Sequence, residues 1–326
     1  MKTTVSFFRR ERDRQVAFFD AHHPDRPLHK GIPYRFADRA INFMPGLDSL
    51  AQAYFAGHAE RAPITWHTHA NHALSSQVCC LNFLMPLAND RDRTTRFLAA
   101  ALGIEGAVVQ PVETDPDGRE WFIGFEWTGA GDYLNEQVNG RPVQRGSNST
   151  SADAFLKFDH AGKRHGLLIE WKYTESYGPP LPDRRRPDGT GGNVTRSRRY
   201  AEIAFEPNGP IRGDLGLHLE DFFWEPFYQL LRQQMLAYQM EKHGEADVVL
   251  VLHLSPRGNI ALHRVTAPTL RPRGTDAFDV FRTLLVRPDR FVDRRIEDVF
   301  SPLLATCAAD DPWRRYLQAR YQFLMD

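Results

Sequence analysis

The chain has 326 residues, with 41 Lys and Arg against 41 Asp and Glu, and 12% of its side chains are aromatic. That length can bury a sizeable core and fits one large domain or a domain with an appended lobe. Balanced charge argues neither for nor against nucleic acid, because a binding groove needs only local charge.

Cys79, Cys80 and Cys307 show no metal-ligand spacing, which argues against a disulfide scaffold or a zinc knuckle and fits a reducing compartment. The N-terminus becomes strongly charged after eight residues and lacks the apolar core of a signal peptide, and apolar runs elsewhere fall far short of a membrane span. A soluble, cytoplasmic protein with no membrane partner is expected.

In chain order, "HALSSQVCCLNFLMPL" and "DRDRTTRFLAAALG" predict two helices, the second stopped at Gly103. "GAVVQPVE" and "EWFIGFEW" predict strands joined by the Asp-Gly turn of "TDPDGR". "SADAFLKFD" and "GLLIEWKY" predict a hairpin closed by "HAGKRH". The stretch "GPPLPDRRRPDGTGGNVTRSRRY" reads as a long mobile excursion carrying Arg184, Arg185, Arg186, Arg196, Arg198 and Arg199. "LEDFFWEPFYQLLRQQMLAYQMEKHG" predicts a helix broken near Pro226 and stopped by Gly244, and "ADVVLVLHLSP" a strand covered on both faces. From about Asp276 the pattern turns helical. One mixed α/β sheet with helices packed on it accounts for this order.

The hairpin carries the chemistry. Alternate side chains of a strand share a face, so Glu170 and Lys172 point one way with Leu168, while Ile169 and Trp171 point the other. A turn centred on residues 159 to 165 sets Asp153 near 171, within one residue of both. Two carboxylates and an ammonium then meet at one sheet end. Adjacent carboxylates repel unless they share a cation, and oxygen ligands, the Trp171 carbonyl among them, suit Mg²⁺. A lysine beside such an ion can orient or deprotonate a water and stabilise charge on a phosphate, which supplies the parts for metal-assisted phosphodiester hydrolysis. The plainer alternative is a cross-strand salt-bridge cluster on a solvated face.

Asp153, sixteen intervening residues and Glu170-Trp171-Lys172 resemble the signature of the PD-(D/E)XK nuclease superfamily. "SSQVCCLNFLMPL", "TSADAFLKF", "LLIEWKYTESY" and "FYQLLRQQMLA" resemble, within it, a little-characterised bacterial group of predicted restriction endonucleases. The resemblance implies a restriction-endonuclease-like αβββαβ core over residues 71–256, after an N-terminal extension (1–70) and before a mainly helical cap (257–326). It also implies catalytic Asp153, Glu170 and Lys172, with Mg²⁺ (or Mn²⁺ in its place) on Asp153, Glu170 and the Trp171 carbonyl. DNA is the implied substrate and defence against foreign DNA the implied role; a homodimer and a partner protein of a defence system are compatible with it. Ala152 stands where the superfamily name has Pro. Gln77 stands where some members carry an upstream acid, which leaves Glu126 or Glu136 to substitute.

Gln234 and Tyr238, four apart on a helix, resemble the Gln-x-x-x-Tyr motif of RecB-like nucleases, with Gln229 and Gln233 a second pair one residue round. The six arginines are candidate phosphate contacts beside the hairpin. His67, His69 and His72 lack a companion Cys or acidic signature and read as a polar helix-entry loop rather than a zinc site. No phosphate-binding Gly-x-x-x-x-Gly-Lys-Ser/Thr loop and no Gly-x-Ser-x-Gly elbow is present. The rivals to a DNA nuclease are a non-catalytic DNA-binding or interaction module on the same fold, and a nuclease acting on RNA or single strands.

Overall fold

The computed structural model describes residues 5–58, 61–137, 145–146, 149–184 and 191–326. Helix α1 (Phe7–His22) starts at Ser6, whose hydroxyl accepts the Arg9 N–H, and α2 (Leu47–Ala56) follows a left-handed Gly46. Helix α3 (Ser76–Ala88) is capped by Ser75 and is buried on nearly every side, so its apolar residues form no stripe. Asp90 caps α4 (Arg91–Leu102), which ends where Gly103 adopts φ 68°.

The two strands expected next are four short ones: β1 (Val108–Gln110), β2 (Glu113–Thr114), β3 (Glu120–Trp121) and β4 (Gly124–Trp127). Pro111 has no N–H for a ladder and divides the first pair. The Phe122 N–H divides the second by donating to the Ala88 carbonyl at the end of α3.

Strands β5 (Ala152–His160) and β6 (Lys163–Trp171) form the expected hairpin, closed by Ala161 and Gly162 at φ 49° and 73°. Two left-handed residues make a tight turn whose twist matches the strands. Helix α5 (Gly192–Ala204) corrects the expected excursion. The Gly and Pro signals stop at Gly192, and Tyr200, Ile203 and Ala204 then bury one helical face, which ordering of the segment requires. Arg196, Arg198 and Arg199 are therefore helical; Arg185 and Arg186 lie outside the described residues.

Helix α6 (Phe227–Lys242) follows Pro226, and Gly244 lies just past its end at φ 75°. Strand β7 (Val248–Ser255), helix α7 (Ala277–Leu284), strand β8 (Phe291–Arg295), helix α8 (Ile296–Ala305) and helix α9 (Pro312–Arg320) complete the chain.

The sheet runs β1-β5-β6-β7-β8, with β4 also paired to β5 further along. β1, β4 and β6 run antiparallel to β5, whereas β6, β7 and β8 run parallel, so the sheet is mixed. Within the chain α3, β4, β5, β6, α6 and β7 follow one another as helix, three strands, helix and strand, with α4, β1 to β3 and α5 standing between them. The C-terminal segment is more than a cap, because β8 extends the sheet. Neither expected boundary interrupts the packing: one core joins Phe7, Val78, Leu252 and Leu324.

That core takes Leu167, Ile169 and Trp171 from β6, and a second core, under α5 to α7, takes Leu168. Each fully buried leucine or isoleucine contributes about 1.5–3 kcal/mol relative to exposure, enough to hold the register against a one-residue slip. The alternation fixes Glu170 on the α6 side of the sheet. Among the described residues no helix is long and apolar enough to cross a membrane.

Candidate active site

The hairpin register places the acids. Ala154 pairs with Ile169 and Phe155 with Leu168, so Asp153 comes opposite Glu170, one residue from the expected partner because the turn holds only two residues. The Asp153 carboxylate accepts the Trp171 N–H at 2.7 Å, which fixes its approach to the strand end. The Trp171 carbonyl accepts the Ser76 hydroxyl at 3.1 Å, and the Lys172 N–H donates to the Leu254 carbonyl at 2.8 Å.

Glu170 is almost fully buried, and its carboxylate is gripped from three directions. Lys172 Nζ lies 2.5 Å and Gln229 Nε2 2.6 Å from Oε1, while Gln233 Nε2 lies 2.9 Å from Oε2. Asp153, Glu170 and Lys172 line one cavity of about 140 Å³, joined by Glu126, Arg232 and His67. The expected trio is thus brought together.

Glu126 reaches the cavity through an unusual backbone. Its φ of 51° is left-handed for a non-glycine, a conformation that costs of order 1–3 kcal/mol and persists only where the surroundings enforce it. The turn it imposes packs Phe125 into one core and Trp127 against the other. The Glu126 carboxylate then accepts from Gln77 Nε2 at 2.7 Å and the Ser151 hydroxyl at 3.0 Å.

Negative charge outruns positive here. Burial raises Asp153 to about 7; Lys172 pulls it down and Glu126 pushes it further up. Burial likewise raises Glu170 to about 7 against the opposing pull of Lys172, and raises Glu126. Desolvation would lower the Lys172 ammonium, yet attraction to Glu170 and its neighbours outweighs it and holds the proton firmly.

The other expected site residues divide. Gln77 is buried and does not line the cavity itself, but its amide holds Glu126, which does. Gln234 and Tyr238 do not: with Glu241, Arg287 and Arg290 they line a separate pocket, and Gln234 Nε2 donates to the Arg290 carbonyl at 3.3 Å. The helix phase is shifted by one residue, so the pair facing Glu170 is Gln229 and Gln233. Arg184 and Arg198 are exposed and Arg199 is half-exposed, and none lines the cavity. Arg196 is spent on the Pro182 carbonyl and Asn193 Oδ1, over the rings of Phe223 and Tyr228.

The cavity's guanidinium is Arg232, whose Nε donates to the Thr150 hydroxyl at 2.7 Å. Its signal was the spacing 229, 232, 233 on one helix face. His67 was missed because its cluster shows no metal-site pattern.

Among the described residues no group of three or more His, Cys, Asp or Glu forms a ready-made metal cluster. The donors that could hold a cation are Asp153, Glu170 and the Trp171 carbonyl, one lone pair of which is taken by the Ser76 hydroxyl. Gln233 Oε1, buried without a partner, stands beside Glu170. Oxygen donors with surplus negative charge in a desolvated cavity suit a hard divalent ion.

No curated protein and no solved structure matches the chain. The family model described as "Restriction Endonuclease associating with ARP" matches residues 17–322. Covering most of the chain, that match places the protein in this restriction-endonuclease family.

Proposed function

We propose that the protein is a metal-dependent nuclease of the PD-(D/E)XK type that hydrolyses DNA phosphodiester bonds, with Mg²⁺ held by Asp153, Glu170 and the Trp171 carbonyl. The observation that carries this reading is the convergence of Asp153, Glu170 and Lys172 in one cavity whose carboxylates are left under-compensated. A bound Mg²⁺ or Mn²⁺ would polarise the phosphoryl group and make a water more acidic.

The chain's own groups do the rest. Lys172, kept protonated, positions the attacking water and donates to a phosphoryl oxygen. Gln229 and Gln233 hold Glu170 in one rotamer, so its oxygens need little reorganisation on reaction. Arg232 offers a guanidinium to the phosphate. Hydrolysis leaves a 3′-hydroxyl and a 5′-phosphate. A role in defence against foreign DNA, and association with a partner protein, follow from the family's description alone.

The test is incubation of purified protein with linear, circular and single-stranded DNA in Mg²⁺, Mn²⁺ or EDTA, beside Lys172→Ala. Metal-dependent cutting that disappears in the variant is expected. Equal inertness of both proteins, with DNA binding retained, would replace the reading with that of a binding module.

A further inference from the structure

Of the three histidines in "WHTHANH", His67 lines the cavity, whereas His72 turns away: its Nδ1 accepts the Leu74 N–H at 3.0 Å and its ring packs on Tyr34. His67 is fixed by a closed ring of contacts. Its backbone N–H donates to Gln77 Oε1 at 3.0 Å, the Gln77 amide donates to Glu126, and the same Glu126 oxygen lies 3.3 Å from His67 Nε2. Two residues outside the acid, acid, lysine trio thus orient one imidazole. Its side chain keeps 45% of its surface open, against 11% for Lys172 and 2% for Glu170, so it can meet an incoming ligand without prior opening.

The strand order gives the cavity two sides. β4 and β6 flank β5, so Glu126 with His67 stands on one side of Asp153, and Glu170 with Lys172 on the other. Adjacent strands are about 4.8 Å apart, which leaves on the order of 10 Å across the three, room for one phosphodiester group between the long side chains. In phosphoryl transfer the attacking and leaving oxygens lie on opposite sides of phosphorus. If Lys172 positions the water from the β6 side, the leaving oxygen emerges on the β4 side.

We propose that His67 donates a hydrogen bond to the leaving O3′ oxygen, an assignment that rests on the nuclease reading above. In this step the water oxygen bonds to phosphorus and loses a proton to solvent. The P–O3′ bond breaks with its electron pair passing to O3′, and O3′ takes a proton from solvent to become the 3′-hydroxyl. The imidazole keeps its own proton and stabilises the charge developing on O3′. In a neutral ring the donor is Nδ1–H, because Nε2 faces Glu126, whose carboxyl burial raises toward the protonated form that can donate to it. Burial, and after it the nearby Lys172, hold His67 below its ordinary pKa, in keeping with that form.

The experiment compares the wild type, His67→Ala and His67→Asn on a duplex whose cut position has been mapped, and on the same duplex with sulfur replacing the bridging O3′ at that position. A thiolate leaves readily and needs little stabilisation. The expected result is that His67→Ala slows cleavage of the oxygen-linked duplex about 100-fold and that of the sulfur-linked duplex by no more than about threefold. His67→Asn, which retains an N–H donor, recovers part of the loss. Equal slowing of both duplexes, or slowing of neither, by two variants that melt like the wild type overturns the assignment while the nuclease reading stands. A wild type that cuts neither duplex overturns both.

Discussion

Two buried clusters of charge lie either side of β4, and they are built on opposite principles. In the first, Glu113 sits between Arg145 at 2.5 Å and Arg61 at 3.1 Å, with the Tyr54 hydroxyl also bonded to it. Burial would raise that carboxylate, but the two guanidinium groups, Arg145 foremost, more than reverse it and hold it below its usual value. In the second, Asp153, Glu170 and Glu126 share a cavity with Lys172 and Arg232, and all three carboxylates are raised. Burial is common to both, so it does not mark the candidate site. What marks it is burial without enough countercharge, which an ordinary fold avoids and a cation or a reaction can use.

The sharpest way to break this contrast is to remove a charge from each side. Asp153→Asn should lower cleavage by roughly 1,000-fold. The same change should leave the fold at least as stable at pH 8, because it deletes an unfavourable charge while Asn can still accept the Trp171 N–H. Arg145→Met should do the reverse and destabilise the protein by about 3 kcal/mol, since Glu113 loses its closest charged partner. Denaturant midpoints beside cleavage rates decide it. If Asp153→Asn proved the more destabilising of the two, the cavity would be a structural ion-pair network after all.

The pH dependence of stability should separate the clusters with a smaller effect. A carboxyl that titrates near 7 when folded and near 4 when unfolded holds its proton more tightly in the folded state. Its folded form is thus favoured at low pH, and that advantage fades as pH rises from about 4 to 7. Glu113, lowered in the fold, contributes the opposite slope, present above its unfolded pKa and lost as pH falls through its folded one. In metal-free buffer the wild type should lose about 2 kcal/mol of stability relative to Asp153→Asn between pH 5 and pH 8. Parallel curves for the two proteins would show that Asp153 titrates normally.

How legible each cluster was in the sequence follows from how local its geometry is. The trio could be read because a hairpin converts sequence separation into proximity. Once two strands and a short turn are recognised, Asp153 must fall beside Glu170, and only the length of the turn set the residual error of one position. Glu126 and His67 could not be so placed. The first depends on a left-handed residue inside a strand and the second on a loop held by Gln77, and neither leaves a periodic signal. The arginine-rich stretch misled for a related reason. Its Pro and Gly residues end at Gly192, and from there Tyr200, Ile203 and Ala204 order a helix through a face that a reading of charges overlooks.

The faces of α6 give the finest version of the contrast, because here one residue of phase separates site from scaffold. Gln229 and Gln233 each hold Glu170 through a side-chain amide, whereas Gln234 meets a backbone carbonyl in the pocket it shares with Tyr238. Replacing Gln233 by Leu removes one of the hydrogen bonds that fix Glu170, and a lost bond to a charged group amounts to about 1.5 kcal/mol, or roughly tenfold in rate. Gln234→Leu should change cleavage by less than about twofold, because the carbonyl it leaves is not part of the reaction. The comparison is best read under single-turnover conditions, where positioning of the acid affects the rate of the chemical step rather than product release. Should Gln234→Leu prove the more damaging, the motif of Gln234 and Tyr238 would regain its place at the catalytic centre, and α6 would have to turn by one residue when DNA binds.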